Sequence, residues 1–159
     1  MILKNVNELV LRLANENDCR FLYELRNEPL VRNNSFQTAE ITYEQHMKWF
    51  QKKIDNANVR IYILEQENES IGQVRVEKLG EQGEISYALA ERARGKGYSK
   101  WMLREVVNKL REEGFCEELV AEVKGENIAS QKIFRYLGYN EEKVKFGYVY
   151  SKHILCDEV

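Results

Sequence analysis

Hydrophobic and polar residues alternate along this chain with two periods, which predict short strands and amphipathic helices. Strands are predicted at residues 9–13, 59–64, 71–76, 84–89 and 119–123, with a β-prone tail at 142–155. Helices are predicted at 15–26, 42–54 and 127–137, and a long helix carries the apolar positions between 102 and 110 and stops at Gly114. Pro29 is expected to break the chain, and residues 33–35 are expected to form a loop. The predicted order is β-α-α-β-β-β-α-β-α-β.

This order of elements determines the fold class. Polar stretches at 66–70 and 80–83 predict two hairpins, so three consecutive strands form an antiparallel meander. The strand-helix-strand crossover over residues 84–123 makes the next strand pair parallel. The sheet is therefore mixed, and the class is α+β, or α/β in three layers. A length of 159 residues predicts one domain, over residues 1–159.

Composition and charge exclude several kinds of function. A formal net charge of −2 argues against general affinity for nucleic acid, and no segment approaches the length of a membrane span. Residues 1–5 lack the apolar core of a signal peptide, so the expected location is the cytoplasm. Cys19, Cys116 and Cys156 are odd in number and have no metal-ligand spacing, so we expect free thiols and no metal site.

A basic, glycine-rich turn between a predicted strand and the long helix carries the clearest chemistry. The segment reads Arg92-Ala93-Arg94-Gly95-Lys96-Gly97-Tyr98-Ser99. Two glycines one residue apart let the main chain approach a ligand closely and point several N–H groups at one anion. The N-terminus of the following helix adds a partial positive charge at the same place. The spacing matches neither a Walker loop nor the dinucleotide fingerprint, so we predict a diphosphate site of another kind.

Two motifs together resemble the GNAT superfamily of acetyl-CoA-dependent N-acetyltransferases. The first is this basic turn, which is similar to the family's pyrophosphate loop with Arg92 at its first position. The second motif is Glu122-Val123, then Asn127-Ile128-Ala129-Ser130, and then Leu137-Gly138-Tyr139. The two motifs occur in the family's order, and the resemblance covers nearly the whole chain.

The resemblance implies both a fold and a coenzyme site. It implies about seven strands and about four helices, with the sheet splayed between its fourth and fifth strands to admit the pantetheine arm of acetyl-CoA. The coenzyme contacts that it implies are Tyr87, Ala88, Leu89, Arg92, Arg94, Gly95, Lys96, Gly97, Tyr98, Ser99, Asn127, Ser130 and Phe134. Asn127 is explained equally well as the N-terminal cap of its helix.

Amine acetylation needs a group that takes a proton, because a protonated amine has no lone pair for attack on the thioester. Glu122 lies where many relatives place a general base, and Glu84 is a second candidate, although both are also explained as solvated strand carboxylates. Relatives often carry a tyrosine as general acid at the position of Phe134, so that acid is absent. Tyr148 and Tyr150 are either substitutes or ordinary strand aromatics. We expect the thiolate to leave unassisted, because a thiol has a pKa of only about 8.5.

The acceptor side resembles one branch of the family, over residues 26–36 and 41–50. Members of that branch acetylate the 4-amino group of a UDP-linked deoxy sugar for surface glycans, as in pseudaminic acid synthesis. The branch implies an acceptor site formed by Arg26, Asn27, Arg32, His46 and Trp49, with the two arginines on the diphosphate. Structural roles also explain these residues, such as Arg26 at a helix end and Trp49 on a buried helix face.

Several alternatives stay open at this point. The acceptor is also compatible with a protein N-terminus, a polyamine or an antibiotic. A coenzyme-binding module without catalysis is a further alternative, because the usual tyrosine is missing at Phe134. The chain is expected to be a monomer or a homodimer, with a small-molecule amine as its partner and acetyl-CoA as co-substrate.

Overall fold

The computed structural model describes residues 8–155. Residues 1–5 and Cys156, on which two expectations above rest, lie outside the described residues. The helices are α1 (Cys19–Asn27), α2 (Pro29–Asn34), α3 (Tyr43–Ile54), α4 (Tyr98–Glu113) and α5 (Ile128–Tyr136). The strands are β1 (Leu9–Leu13), β2 (Val59–Gln66), β3 (Glu69–Leu79), β4 (Gln82–Leu89), β5 (Glu118–Lys124), β6 (Asn140–Val144) and β7 (Gly147–His153). Single turns of 3-10 helix lie at Glu16–Asp18 and Glu91–Ala93.

The seven strands form one sheet in the order β1-β2-β3-β4-β5-β7-β6. Neighbouring strands are antiparallel except β4 and β5, which are parallel because α4 crosses over between them. Tight turns with left-handed residues, Glu67 and Asn68 in one and Gly80 in the other, close the two hairpins of the meander. The predicted mixed, mostly antiparallel sheet is confirmed.

The parallel pair separates soon after it begins. β4 and β5 pair from Gln82 opposite Glu118 to Glu84 opposite Val120, and no further pair joins them in the described chain. β4 nevertheless continues for five residues and β5 for four. The two strands therefore face each other across a gap with backbone N–H and C=O groups along its edges. This confirms the predicted splay between the fourth and fifth strands.

Alternation along the strands sorts the side chains onto two faces of the sheet. On one face, Tyr62, Val74 and Ile85 pack in the main core, which also contains buried residues of α4 and α5. On the opposite face, Ile61 and Ile63 pack in a second core with residues of α1 and α3. The sheet therefore lies between two helical layers, as the three-layer prediction requires.

The predicted helix ends are confirmed where capping chemistry identified them. Thr42 and Gln45 form a reciprocal capping box at the start of α3. The Asn127 side chain accepts a hydrogen bond from the Ser130 N–H at the start of α5. Gly114 ends α4 in the left-handed conformation, with φ at 66°.

Two local predictions are wrong. Pro29 begins α2 instead of breaking the chain, because a proline at the first helical position loses no hydrogen bond. Two of the residues expected in a loop, 33 and 34, belong to this helix, which brings the number of helices to five.

The β-prone tail forms two strands, and β7 lies between β5 and β6. The last strand, β7, therefore lies inside the sheet, and β6 forms the edge of the sheet at this end.

Candidate active site

The gap between β4 and β5 opens into a cleft of about 1150 Å³. Residues of α4 and α5, on one side of the sheet, and of α1 and α3, on the other, line the same cleft. The cleft therefore passes through the sheet at the splay. The sequence-predicted site residues that line it are Arg26, His46, Trp49, Glu84, Tyr87, Ala88, Leu89, Arg94, Gly95, Gly97, Tyr98, Ser99, Glu122, Asn127, Ser130 and Phe134.

The glycine turn before α4 is shaped to bind an anion. Gly95 and Gly97 have φ angles of 76° and 80°, in the left-handed region that favours glycine. A Cβ added at either position would meet nothing within 4 Å, so the space beside the main chain is open. The first residues of α4, Tyr98 and Ser99, line the cleft next to the turn. The residues present thus fit the diphosphate of acetyl-CoA, held by turn N–H groups and the α4 N-terminus.

The three charged side chains of this turn lie in different environments. Arg94 lines the cleft, but its Nε donates to the Leu89 carbonyl at 3.1 Å and its Nη2 lies 3.3 Å from Glu28 Oε1. Arg92 lies outside the wall of the cleft and donates to the Ser70 carbonyl at 2.6 Å. Lys96 is exposed and also lies outside the wall. The lining of the turn is therefore mostly backbone, with Arg94 as its basic side chain.

A pair of hydroxyl groups lines the cleft between β4 and α5. Tyr87 Oη lies 2.7 Å from Ser130 Oγ, and burial raises the pKa of Tyr87 to about 12. The ring of Phe134 packs edge-on against Tyr87, with centroids 6.0 Å apart, and is almost fully buried. Both hydroxyls are thus uncharged hydrogen-bonding groups at neutral pH, and Phe134 contributes no proton.

The two candidate carboxylates share one face of the sheet. Glu84 pairs with Val120, and alternation places Glu122 on the same side as Val120. Both carboxylates are exposed and line the cleft. Glu84 sits at the last paired position, whereas Glu122 lies two residues farther along the gap. Glu122 therefore lies beside the open part of the gap, and Glu84 lies at its closed end.

His46 lies among aromatic rings on the α1–α3 side of the cleft. Its ring centroid lies 5.4 Å from that of Trp49 and 5.8 Å from that of Tyr23, and its Nδ1 is 3.6 Å from Cys19 Sγ. The side chain is 2% exposed. Burial, with the positive charges of Arg26 and Arg75, lowers the pKa of His46 to about 4. His46 is therefore a neutral, buried part of the wall.

Two guanidinium groups stand in the same wall. Arg26 donates from Nη2 to the Gln37 carbonyl at 2.9 Å, and its Nη1 is buried with no hydrogen-bond partner in residues 8–155. Arg26 therefore bonds to the loop before α3, not to the end of its own helix. Arg75, on β3, lies over the Trp49 ring at 4.9 Å and contacts Glu77 at 3.4 Å. Burial lowers the pKa of both groups, but a guanidinium remains charged at neutral pH.

Arg75 is a charged lining residue that sequence reasoning missed. It pairs with Ile61 and Ser86 in the sheet, so it shares a face with the second core. In the sequence Arg75 alternates with Val74 and Val76, so the local pattern predicts only that it points away from the face of those two valines. Nothing in that local pattern showed that the helices opposite β3 would leave a cleft there.

Two predicted acceptor residues do not reach the cleft wall. Asn27 donates from Nδ2 to the Ile41 carbonyl at 3.0 Å and accepts from the Ile41 N–H at 3.1 Å. Its amide thus fastens the end of α1 to the loop before α3. Arg32 donates to the Asn27 carbonyl at 3.1 Å and lies 3.6 Å from Glu40. The contacts of both residues are structural.

The tyrosines that could replace a general acid lie away from the cleft. Tyr150 is fully buried and donates to Glu141 at 2.8 Å. Tyr148 lies under the guanidinium of Arg135, at 5.4 Å. Neither lines the cleft, so both are strand aromatics in this structure.

No three His, Cys, Asp or Glu side chains within residues 8–155 are grouped to hold a metal ion. None of the five helices is both long and apolar enough to cross a membrane. Cys19 and Cys116 are buried free thiols, as predicted.

Comparisons with known proteins agree with this geometry. Residues 8–140 match the family model of the acetyltransferase (GNAT) domain. A solved domain from Methanocaldococcus jannaschii is 22% identical, with a TM-score of 0.80 over 92% of this chain and 99% of its own. No sequence among the curated proteins matches this chain.

Two further solved structures carry bound coenzyme. RimL, a ribosomal L7/L12 α-N-protein acetyltransferase in complex with coenzyme A, is 19% identical, with a TM-score of 0.81 over 98% of both chains. The spermidine N-acetyltransferase of Vibrio cholerae, in complex with CoA and spermine, is 17% identical, with a TM-score of 0.81 over 92% of this chain and 95% of its own. At these identities the likeness shows the fold, whereas the family model spans most of the chain. The chain therefore belongs to the GNAT family and is an acetyl-CoA-dependent N-acetyltransferase.

Proposed function

We propose that this enzyme transfers the acetyl group of acetyl-CoA to the 4-amino group of a UDP-linked deoxy sugar for surface-glycan synthesis. The transfer is direct, in a ternary complex, and residues 1–159 act as a single N-acetyltransferase domain in the cytoplasm. The observation that carries the acceptor class is the pair of guanidinium groups, Arg26 and Arg75, in the α1–α3 wall of the cleft.

This wall favours an acceptor that carries negative charge. Over the whole cleft, five lining side chains are cationic and two are acidic. Arg26 and Arg75 share the α1–α3 side with Glu84 and Glu122, whereas Arg94, Lys100 and Lys132 lie on the side of α4 and α5. Two partly buried guanidinium groups repel each other and lose hydration, so a bound anion would offset both costs. A diphosphate would also give the unpaired Nη1 of Arg26 an acceptor. Trp49 offers a flat apolar surface beside Arg75 for the sugar or the base.

The catalytic step needs one proton acceptor. Acetyl-CoA supplies the acetyl group as an activated thioester. Glu122 takes a proton from the protonated acceptor amine, directly or through a water, so that the nitrogen lone pair is free to form the N–C bond as the C–S bond breaks. The nitrogen then loses its second proton to water as the amide forms. The coenzyme sulfur leaves as a thiolate and takes its proton from water, because Phe134 has none to give. Backbone N–H groups at the splay stabilise the negative charge on the carbonyl oxygen.

The positive charges of Arg26 and Arg75 also favour some of the other acceptors over others. By their names, two of the structural neighbours act on a protein α-amino group and on spermidine. A polyamine would bring positive charge towards Arg26 and Arg75, which disfavours it. A small anionic amine would satisfy the same guanidinium groups. That class is the second candidate, and it is represented among the neighbours by a putative phosphinothricin N-acetyltransferase, 24% identical with a TM-score of 0.77.

Thiol release from acetyl-CoA tests this proposal with a panel of acceptors. The panel contains a UDP-4-amino-4,6-dideoxy sugar, phosphinothricin, spermidine and a set of N-terminal peptides. We expect turnover on the nucleotide sugar with the highest kcat/KM. Turnover on phosphinothricin alone would establish the second candidate. Turnover on spermidine or peptides alone would contradict an anionic acceptor, and coenzyme binding without turnover on any amine would indicate a module without catalysis.

A further inference from the structure

Glu28 occupies the corner between α1 and α2 and reaches the coenzyme loop from there. Its side chain is 27% exposed, and Oε1 lies 3.3 Å from both Arg94 Nη2 and the backbone nitrogen of Glu91. The first of these contacts is an ion pair. The second gives a partner to the N–H at the start of the Glu91–Ala93 turn, which has no side-chain cap of its own. One carboxylate oxygen, 63 residues away in sequence, thus holds both the turn and the arginine that follows β4.

The same arginine is also fixed to the end of β4. Arg94 Nε donates to the Leu89 carbonyl at 3.1 Å. The guanidinium therefore joins Glu28, on the acceptor side, to the strand whose free edge faces the gap. Because Arg94 and Leu89 both line the cleft, a shift of Glu28 would be transmitted to the coenzyme side.

The segment after Glu28 is fastened at its other end to β5. Lys124 Nζ, at the end of β5, donates to the Asn33 carbonyl at 3.0 Å. The ring of Phe36 packs edge-on against Phe146 in the turn between β6 and β7, with centroids 5.0 Å apart. Residues 28–36, which we call the bridging segment, therefore join the two strands that separate at the splay.

We propose that Glu28 is a positioning residue that couples the coenzyme loop to the bridging segment, so that coenzyme binding orders the acceptor side of the cleft. This rests on the coenzyme site at residues 94–99. Glu28 itself touches no substrate. It acts by fixing Arg94 and the Glu91–Ala93 turn relative to α2, whose residues Leu30 and Val31 line the cleft together with Phe36.

Hydrogen exchange of the wild type and of Glu28→Gln, with and without CoA, tests the coupling. Glu28→Gln keeps the size of the side chain but removes the charge that holds Arg94. In the wild type, CoA is expected to slow amide exchange both at 94–103 and in the bridging segment. In Glu28→Gln the slowing is expected at 94–103 alone. Calorimetry should show the Kd for CoA raised about three- to tenfold by this substitution.

Glu91→Gln is the matched control, because it removes a carboxylate of the same turn but keeps the backbone N–H that contacts Glu28. Glu91→Gln should show the same amide exchange and the same affinity for CoA as the wild type. Slowing of the bridging segment that persists in Glu28→Gln would overturn the proposal. The proposal would also be overturned if CoA left amide exchange in the bridging segment of the wild type unchanged or made it faster. Arg94 would then have lost its contact with Glu28. A wild type that does not bind CoA would instead overturn the coenzyme site itself.

Discussion

The two halves of the cleft are built in different ways. On the coenzyme side, the lining between β4 and α4 is a short continuous segment, in which left-handed glycines and a helix N-terminus present backbone N–H groups. On the acceptor side, the lining comes from separate elements, with Arg26 on α1, His46 and Trp49 on α3 and Arg75 on β3. A site made of backbone can be recognised in one stretch of sequence. A site made of side chains from distant elements appears only when the chain is folded.

The halves also differ in how their charges are balanced. Arg94 on the coenzyme side already has Glu28 as an ionic partner. Arg26 on the acceptor side has a buried Nη1 without a partner in the described residues, and burial lowers its pKa. We infer that the charge of Arg94 is balanced before ligand binds, whereas the Nη1 of Arg26 gains its partner from the anion that the acceptor half binds.

The largest effect is expected where the halves meet. Glu122→Gln removes the proposed proton acceptor, so kcat should fall about 100-fold, as general-base catalysis contributes at least that much. Glu84→Gln is the matched control on the same face of the sheet, and its kcat should stay within about threefold of the wild type. Steady-state kinetics of thiol release measure both. A larger loss of kcat in Glu84→Gln than in Glu122→Gln would indicate that Glu84 is the proton acceptor.

A substitution in the turn should break the coenzyme half alone. Gly97→Val forces a branched side chain into a left-handed position and fills the open space beside the main chain. We expect the affinity for acetyl-CoA to fall about 10- to 100-fold, because charge-assisted hydrogen bonds of about 1.5–3 kcal/mol are lost. Gly114→Val carries the same backbone strain at the other end of α4, with φ at 66°. It should lose stability but not affinity. Equal loss of affinity in both variants would show that strain alone explains the effect.

The acceptor half should respond to Arg75 without any change in coenzyme affinity. Arg75→Met keeps a long side chain over Trp49 but removes the charge, so KM for the nucleotide sugar should rise about tenfold. Arg60→Met is the control, because Arg60 also lies over an aromatic ring, that of Phe115 at 4.5 Å, but does not line the cleft. Kinetics with each substrate varied in turn separate the two affinities. An unchanged KM for the nucleotide sugar in Arg75→Met would contradict the binding of an anionic acceptor by Arg75.

A last effect concerns stability on the acceptor side and involves no substrate. The native pKa of His46, about 4, lies below its ordinary value of 6.5. The unfolded chain therefore binds a proton in this range before the folded chain does, and stability is lost as the pH falls from 6.5 towards 4. The slope contributed by His46 is at most about 1.4 kcal/mol per pH unit.

Denaturant unfolding between pH 7 and 4 measures this contribution. His46→Gln should give a flatter dependence of the unfolding free energy on pH. The wild type measured under the same conditions is the reference for this slope. Identical slopes in the wild type and in His46→Gln would contradict a neutral, buried His46.

The features that sequence predicts well are those specified by neighbouring residues. The capping box at Thr42, the left-handed end of α4 at Gly114 and the glycine turn before α4 all depend on residues within a few positions. The splay followed from the family resemblance rather than from local pattern. Pro29 was misread because proline is compatible both with a break and with the first position of a helix, and only packing decides between them.

The rest of the site depends on contacts between distant segments. Asn27 was predicted to bind substrate, but its amide faces Ile41, 14 residues along the chain. Arg75 was missed because β3 was read only as a strand of the meander. Glu28 acquires its contacts from residues 63 and 66 positions away. Sequence reasoning could name residue types suited to an anion, but it could not tell which of them the tertiary fold would bring to the cleft.

Ligand binding to the CoA-loaded protein tests most directly whether the acceptor half binds an anion. Calorimetric titration with UDP and, separately, with spermidine compares the two charges without any need for turnover. We expect that UDP binds, that Arg75→Met weakens its binding about tenfold, and that spermidine does not bind. Binding of spermidine with no binding of UDP would contradict an anionic acceptor.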